Sequence, residues 1–347
     1  MQLMAIKISN IYYMLAYAYR VLREENAYIG SEDFENTHSL FAEIILRLMT
    51  RQIKRGIHRD YSLNVEMMSS LRGKIDISKT ISNMSHTKRQ LVCEYDMFTE
   101  DVFPNRVIKA AVTVLLRHGD LSPKTSGGLK WITAFLGEVK DVRPSDIKFV
   151  LLRTQRLTND YKMLLSICHL LFDGLLMTEE NGEYRLRSFL RDDKMHLLFE
   201  QFVREYFRHH HREFDPRARE IKWDLPPDID ATYLPTMRSD TTLSLDGRTV
   251  IIDTKWYNRT MSTFFGKQSY HSSNMYQIYS YVSNAAKGIK GNVSGVLLYA
   301  KTDEPIDHDE DYIISGNRIS VKTLDLSQPF VRIQSQMEAI ADILTEK

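Results

Sequence analysis

The residues best placed to do chemistry lie in RSDTTLSLDGRTVIIDTKWY, Arg238 to Tyr257, where Asp240, Asp253 and Lys255 sit in two strand-like runs separated by Asp246-Gly247. Asp-Gly between such runs is a strong hairpin signal, and a two-residue turn pairs Leu245 with Arg248. Each further pair follows, so that Asp240 stands opposite Asp253. Alternation puts Asp240, Thr242, Ser244, Thr249, Ile251, Asp253 and Lys255 on one face. Thr241, Leu243, Leu245, Val250, Ile252 and Thr254 take the other, which is apolar enough to be core. Two carboxylates about 5 Å apart repel unless something positive lies between them. A hard divalent cation such as Mg²⁺ (or Mn²⁺) would accept both carboxylates and a backbone carbonyl, that of Thr254, leaving its other positions for water and substrate phosphate oxygens. Lys255, on the same face, can orient or help deprotonate an attacking water and stabilise charge developing on a phosphate. The competing reading is a surface hairpin in which Lys255 bridges two solvated aspartates.

The surrounding elements must hold this hairpin. Upstream, Met195, Leu198, Phe199, Phe202, Val203, Tyr206 and Phe207 recur at helical spacing, which predicts a long helix with one buried stripe. A strand is expected at Ile221 to Leu225. Downstream come a helix from about Ser272 to Ala286, a buried strand in VSGVLLYA, a hairpin over Tyr312 to Leu326 and a terminal helix from Val331 to Leu344. Helix, strands, helix, strand in that order indicates a mixed α/β sheet. The first half reads mostly as helices, at Ile11 to Leu22, Leu40 to Arg55, Asn105 to Arg117 and Leu129 to Leu136. Two short strands are expected between Tyr61 and Asp76, and a loop over Gly119 to Gly128. A further helix is expected from about Asp160 to Leu176. The expected division is 1–155, an α+β domain that is mostly helical with a small β element, and 156–347, the α/β domain, with the boundary near Arg153.

Of 347 residues, 43% are hydrophobic and 26% charged, which argues against disordered, collagen-like and coiled-coil classes. The longest apolar runs are too short to cross a bilayer, no secretory signal opens the chain, and Cys93 and Cys168 are the only cysteines. Those features point to a reducing, cytoplasmic setting. Residues 1–155 carry 22 basic and 17 acidic side chains, and 156–347 carry 24 and 28. The half holding the hairpin therefore has little long-range attraction for DNA phosphates, so any nucleic-acid binding must rely on a local patch or a partner.

Asp240, then Asp253-Thr254-Lys255 on adjacent strands, after a helix carrying Glu200, resembles the PD-(D/E)xK nuclease superfamily. Gln277 and Tyr281, one helical turn apart, resemble its RecB-like branch. NIYYMLAYAY, LRGKID, NRVIKAA, LPTMRSD, IIDTKWY and NMYQIYSY together resemble the McrC family over nearly the whole chain. The resemblance implies a restriction-endonuclease-like fold for the second half and catalytic roles for Asp240, Asp253, Lys255, Gln277, Glu200 and Tyr281. It also implies a Mg²⁺-dependent endonuclease subunit that cuts methylated double-stranded DNA. Its first half would engage a hexameric AAA+ GTPase ring and stimulate GTP hydrolysis, the ring and not this chain binding GTP. The absence of a G-x-x-x-x-G-K-[ST] sequence agrees with that expectation. Pro235 lies five residues before Asp240, away from the position in the superfamily's motif name, and Glu200 can alternatively pair with Arg204.

Arg72, Gly73 and Lys74, on a turn between strands, are candidate contacts with a ring, or a simple β-turn. His209, His210 and His211 point in three directions if helical and are poorly placed to chelate one metal. Cys168-His169 lies in an apolar helical run, Tyr12, Tyr13, Tyr17 and Tyr19 read chiefly as packing, and Arg47, Arg51, Lys54, Arg55 and Arg59 as either a binding patch or a helix end. Two rival functions remain: a catalytically inactive adaptor that only activates the GTPase, and an autonomous RecB-like nuclease.

Overall fold

The computed structural model describes residues 7–21, 37–118, 120–152, 156–176, 192–226, 228–256, 261–264, 267–288, 292–301 and 308–346. In chain order the helices and strands run α1 (Ile8–Ala18), α2 (Thr37–Arg55), β1 (Asp60–Met68), β2 (Lys74–Ile75), α3 (Ile77–Ser82), β3 (Leu91–Thr99), α4 (Phe103–His118), α5 (Pro123–Phe135) and α6 (Asn159–Leu176). They continue with α7 (Asp192–His210), β4 (Glu220–Ile221), β5 (Met237–Arg238), β6 (Thr241–Leu245), β7 (Arg248–Lys255), β8 (Met261–Phe264), β9 (Lys267–Tyr270), α8 (Ser272–Gly288), β10 (Val293–Ala300), β11 (Asp309–Ile314), β12 (Asn317–Leu324) and α9 (Phe330–Thr345). Among the described residues no helix is long and apolar enough to cross a membrane.

The chain divides into two compact units, Met1–Leu40 with Phe189–Lys347, and Phe41–Ser188. This differs from the expected 1–155 and 156–347, and residue 153 itself lies outside the described residues. The cause is α1. Its Tyr13 ring stacks on Phe330 of α9 at 3.9 Å, and Tyr17 packs against Phe202 and Tyr206 of α7. Asn10 Nδ2 donates to the carbonyls of Leu326 and Gln328 at 2.7 and 2.8 Å. The tyrosines at the start of the chain are thus packing residues of the unit that carries the hairpin.

That unit is built on a five-stranded mixed sheet in the order β11-β12-β10-β7-β6. β10 runs parallel to both β7 and β12, and the hairpins β6–β7 and β11–β12 close the two sides. α8 is the crossover that parallel β7 and β10 require. It lies close to the sheet at Gly295, where a Cβ would come within 2.7 Å of Val282 and 2.8 Å of Ile278. The β6–β7 register is the one the Asp-Gly turn dictates, Leu245 opposite Arg248 through Thr241 opposite Ile252. Asp246 and Gly247 both have positive φ, 47° and 79°, as a two-residue turn of this hand demands.

The hairpin is not polar on one side and packed on the other. Every residue of β7 from Thr249 to Lys255 is buried. The face holding Ile251, Asp253 and Lys255 is a second core, formed by Ile251, Leu297, Ile319 and Val321 beneath Ile278, Tyr281 and Val282 of α8. A parallel pair flanked by a crossover helix is covered on both faces, which the hairpin pattern alone did not reveal.

The other unit holds α2 beyond Leu40, the antiparallel sheet β1-β3-β2, and α3 to α6. β3, the central strand, was not among the expected elements. The loop expected over 119–128 is shorter than that. α5 begins at Pro123 behind Ser122, whose Oγ accepts from the Thr125 N–H at 3.2 Å. Gly128 is helical, at a point where a Cβ would meet Leu46 of α2 at 2.6 Å, so it marks a close helix approach and not a helix stop. The strand expected at Ile221 to Leu225 is confined to Glu220–Ile221.

Candidate active site

β7 supplies Asp253, Thr254 and Lys255 as its last three residues, at the carboxyl ends of the parallel strands. Open α/β sheets bind ligands there. Lys255 Nζ lies 2.6 Å from Asp253 Oδ2 and donates to Gln277 Oε1 at 2.9 Å. Gln277 Nε2 in turn donates to the Tyr281 hydroxyl at 2.8 Å. The i, i+4 spacing on α8 therefore holds a relay that fixes the ammonium. Both partners of the Asp253–Lys255 pair are buried, at 2% and 8% exposure.

Asp240 stands just outside β6. The ladder stops at Thr241 opposite Ile252, one pair short of Asp240 opposite Asp253. In the same register the Thr254 N–H would next meet residue 239, but Ser239 turns away, donating its N–H to Arg219 O at 3.0 Å. Asp240 Oδ2 takes the vacated place, accepting from Thr254 N and from Thr254 Oγ1, both at 2.7 Å. A strand residue's N–H and C=O leave on the same edge, so the Thr254 carbonyl also faces Asp240. Asp240, Asp253, Thr254, Lys255, Gln277 and Tyr281 are thereby gathered at one place.

Glu200 on α7 is held by Arg204, whose Nη1 lies 2.8 Å from Glu200 Oε1 and donates equally to Asp240 O at 2.8 Å. From the sequence, Arg204 is only an alternative pairing partner for Glu200. Its grip on the Asp240 backbone was missed, and the i, i+4 spacing was the one available signal.

Burial pushes the Asp253 carboxyl up to about 6; Lys255 pulls it down, while Asp240 and Glu200 push it further up. Asp253 Oδ2 is buried, and the Lys255 ammonium 2.6 Å away is its charge partner. A buried carboxylate pushed up by desolvation and by two neighbouring carboxylates, and answered by a single ammonium, belongs to a donor set that fits a divalent cation. Among the described residues no three His, Cys, Asp or Glu side chains are grouped so as to hold a metal by themselves. The fit therefore rests on two aspartates and a carbonyl, with water and substrate completing the shell.

The other candidates resolve structurally. His210 pairs with the Tyr17 hydroxyl at 2.8 Å and His211 with Glu338 at 2.7 Å, so the histidine run diverges. Cys168 is fully buried, which pushes its thiol up, and His169 stacks on Phe149. Arg47, Arg51 and Arg59 pair with Glu43, Asp160 and Glu100. Arg72, Gly73 and Lys74 are exposed. Gly73 has φ +68° and a Cβ there would strike Glu94 O at 2.3 Å, while the Arg72 guanidinium lies over the Tyr95 ring at 4.1 Å.

A mixed sheet with a crossover helix, presenting two aspartates and a buried lysine at its strand ends, defines an α/β protein with a carboxylate–lysine site. The chain belongs to the family described as McrBC 5-methylcytosine restriction system component, whose model matches residues 7–300. It is 27% identical over 341 residues to the Type IV methyl-directed restriction enzyme EcoKMcrBC of Escherichia coli (strain K12), covering 97% of both chains. Its fold is similar, with a TM-score of 0.50 and 17% identity, to a chain in a half-complex of Thermococcus gammatolerans McrB AAA+ hexamers with bound McrC. That match covers 97% of this chain and 76% of the other.

Proposed function

We propose that this chain is the Mg²⁺-dependent endonuclease subunit of a methylcytosine-dependent, GTP-driven restriction complex, with a PD-(D/E)xK site in the unit that holds the five-stranded sheet. The observation that carries this reading is the buried Asp253–Lys255 pair beside Asp240 at the end of β7. Asp240, Asp253 and the Thr254 carbonyl would hold Mg²⁺, with Mn²⁺ as a substitute. The ion would polarise the phosphodiester and lower the pKa of a bound water. Thr254 keeps Asp240 pointed at the site through two hydrogen bonds. Lys255, oriented by Gln277 and Tyr281, places a fixed positive charge where the phosphate gains negative charge. Glu200 acts with Arg204 to set the Asp240 backbone.

The partner is a hexameric AAA+ GTPase ring of the McrB kind, which binds GTP and delivers methylated double-stranded DNA, and the setting is the cytoplasm. Arg72, Gly73 and Lys74 are proposed contacts with that ring. The test is cleavage of methylated and unmethylated DNA with and without the cognate ring, in GTP and Mg²⁺. Cleavage that needs methylation, ring, GTP and Mg²⁺ together is expected. Ring activation without cleavage would favour the inactive adaptor, and cleavage by the chain alone the autonomous nuclease.

A further inference from the structure

Residues 156–347 are net acidic, so a nuclease built there needs local cations to hold a nucleic-acid backbone. The structure offers a pair. Outside β6 the chain from Asp215 to Arg219 runs antiparallel as a short additional edge. Arg217 and Thr242 exchange both backbone hydrogen bonds, at 3.2 and 2.8 Å, and Ser239 binds Arg219 through its N–H and its Oγ at 3.0 and 3.1 Å. Directly opposed residues share a face. Arg217 thus shares one with Thr242, Thr242 with Ile251 across the ladder, and Ile251 with Asp253 and Lys255 by alternation. Arg219, two residues on, follows Arg217.

Both guanidiniums end on one carboxylate, Asp215, with Arg219 Nη2 at 2.7 Å. Arg219 Nε is buried with no hydrogen-bond partner. Two cations therefore share one counter-ion, on a surface that leaves the Arg217 and Arg219 side chains 57% and 33% exposed. The planar arginine fork matches phosphate oxygens. Strands lie about 4.8 Å apart, and phosphates rise about 3.4 Å per nucleotide along one DNA strand. An edge one strand beyond Asp240 is thus within reach of a phosphate flanking one held at the carboxylates.

We propose that Arg217 and Arg219 form a phosphate-binding edge that grips the DNA backbone beside the phosphodiester presented to Asp240 and Asp253, with Asp215 as the counter-ion that DNA displaces. This rests on the nuclease reading. Its test is separate from that reading, because it uses the full chain in EDTA, where no cleavage occurs. Binding of a short fluorescein-labelled duplex is followed by anisotropy over a range of salt. Arg217→Ala/Arg219→Ala should bind about tenfold more weakly, and its log–log salt slope should fall by about 2. Arg217→Lys/Arg219→Lys should keep the slope, and Asp215→Asn should bind more tightly than wild type. Thermal unfolding of each variant checks the fold, and Asp215→Asn carries the test if the alanine variant unfolds. Failure of the wild-type chain to bind the duplex at low salt overturns the proposal. So does a folded alanine variant with unchanged affinity and slope, or an Asp215→Asn variant that binds no tighter. Loss of Mg²⁺-dependent cleavage with this binding intact would instead overturn the nuclease reading alone.

Discussion

Asp253 makes the stability of its unit depend on pH in a direction opposite to that of an ordinary salt-bridged aspartate. Burial lifts its carboxyl from 3.8 to about 6 in the folded chain. The folded state therefore holds this proton more tightly than the unfolded state. Its contribution to stability is fully present below about pH 4 and is lost as pH rises through about 6. At 1.36 kcal/mol per pH unit the difference amounts to about 3 kcal/mol. Asp253→Asn removes the titration while keeping the shape. Denaturant unfolding in EDTA, followed by the fluorescence of buried Trp256 in a Trp131→Phe/Trp223→Phe background, measures both proteins. The stability of wild type relative to Asp253→Asn should fall by up to about 3 kcal/mol between roughly pH 4 and 7. Saturating Mg²⁺ near neutral pH should then restore wild type but not the variant, by about 2.7 kcal/mol at a hundred times the dissociation constant. A pH-independent difference would refute the assignment of a buried, proton-hungry carboxyl to this position. Equal stabilisation of both proteins by Mg²⁺ would remove Asp253 from the metal site.

Other substitutions probe the neighbouring links. Asp253→Ala or Lys255→Ala should abolish DNA cleavage by the assembled complex and leave stimulation of the ring's GTPase unchanged; near-normal cleavage by either places the chemistry elsewhere. Ile252→Asp puts an unpaired charge on a fully buried position, at a cost of several kcal/mol, and should leave this unit unfolded by proteolysis and circular dichroism. Gly295→Ala pushes a methyl into Val282 and Ile278, should cost about 1–3 kcal/mol, and should lower cleavage by displacing α8 and with it Gln277. Charge reversal at Arg72 and Lys74 should weaken stimulation of GTP turnover, read as phosphate release, without changing metal binding.

What could be read from sequence and what could not divide along the range of the forces involved. The β6–β7 register was legible because Asp246-Gly247 sets it locally and only one turn geometry suits two residues of positive φ. The helices α7, α8 and α9 were legible from apolar spacing. The central strand β3 carries its own signal, Cys93, Tyr95 and Met97 alternating with Glu94 and Asp96, which the mostly helical reading of this half passes over. The place of α1 was hidden because Tyr13 and Asn10 find their partners more than 300 residues away.

Asp240 shows how the two ranges combine at the site. The turn carries it to the right end of the hairpin, but a regular ladder would have paired its backbone with Asp253 and left its carboxylate beside the strand. The segment around Arg219, far enough upstream to escape a local reading, takes the Ser239 N–H instead. With Ser239 turned out of the ladder its carbonyl no longer meets the Thr254 N–H, which donates to the Asp240 carboxylate, while Arg204 holds the Asp240 carbonyl from α7. The position of a proposed metal ligand is thus set by two elements outside its own hairpin. A substitution at Arg204 or Ser239 should therefore alter metal affinity without touching either carboxylate.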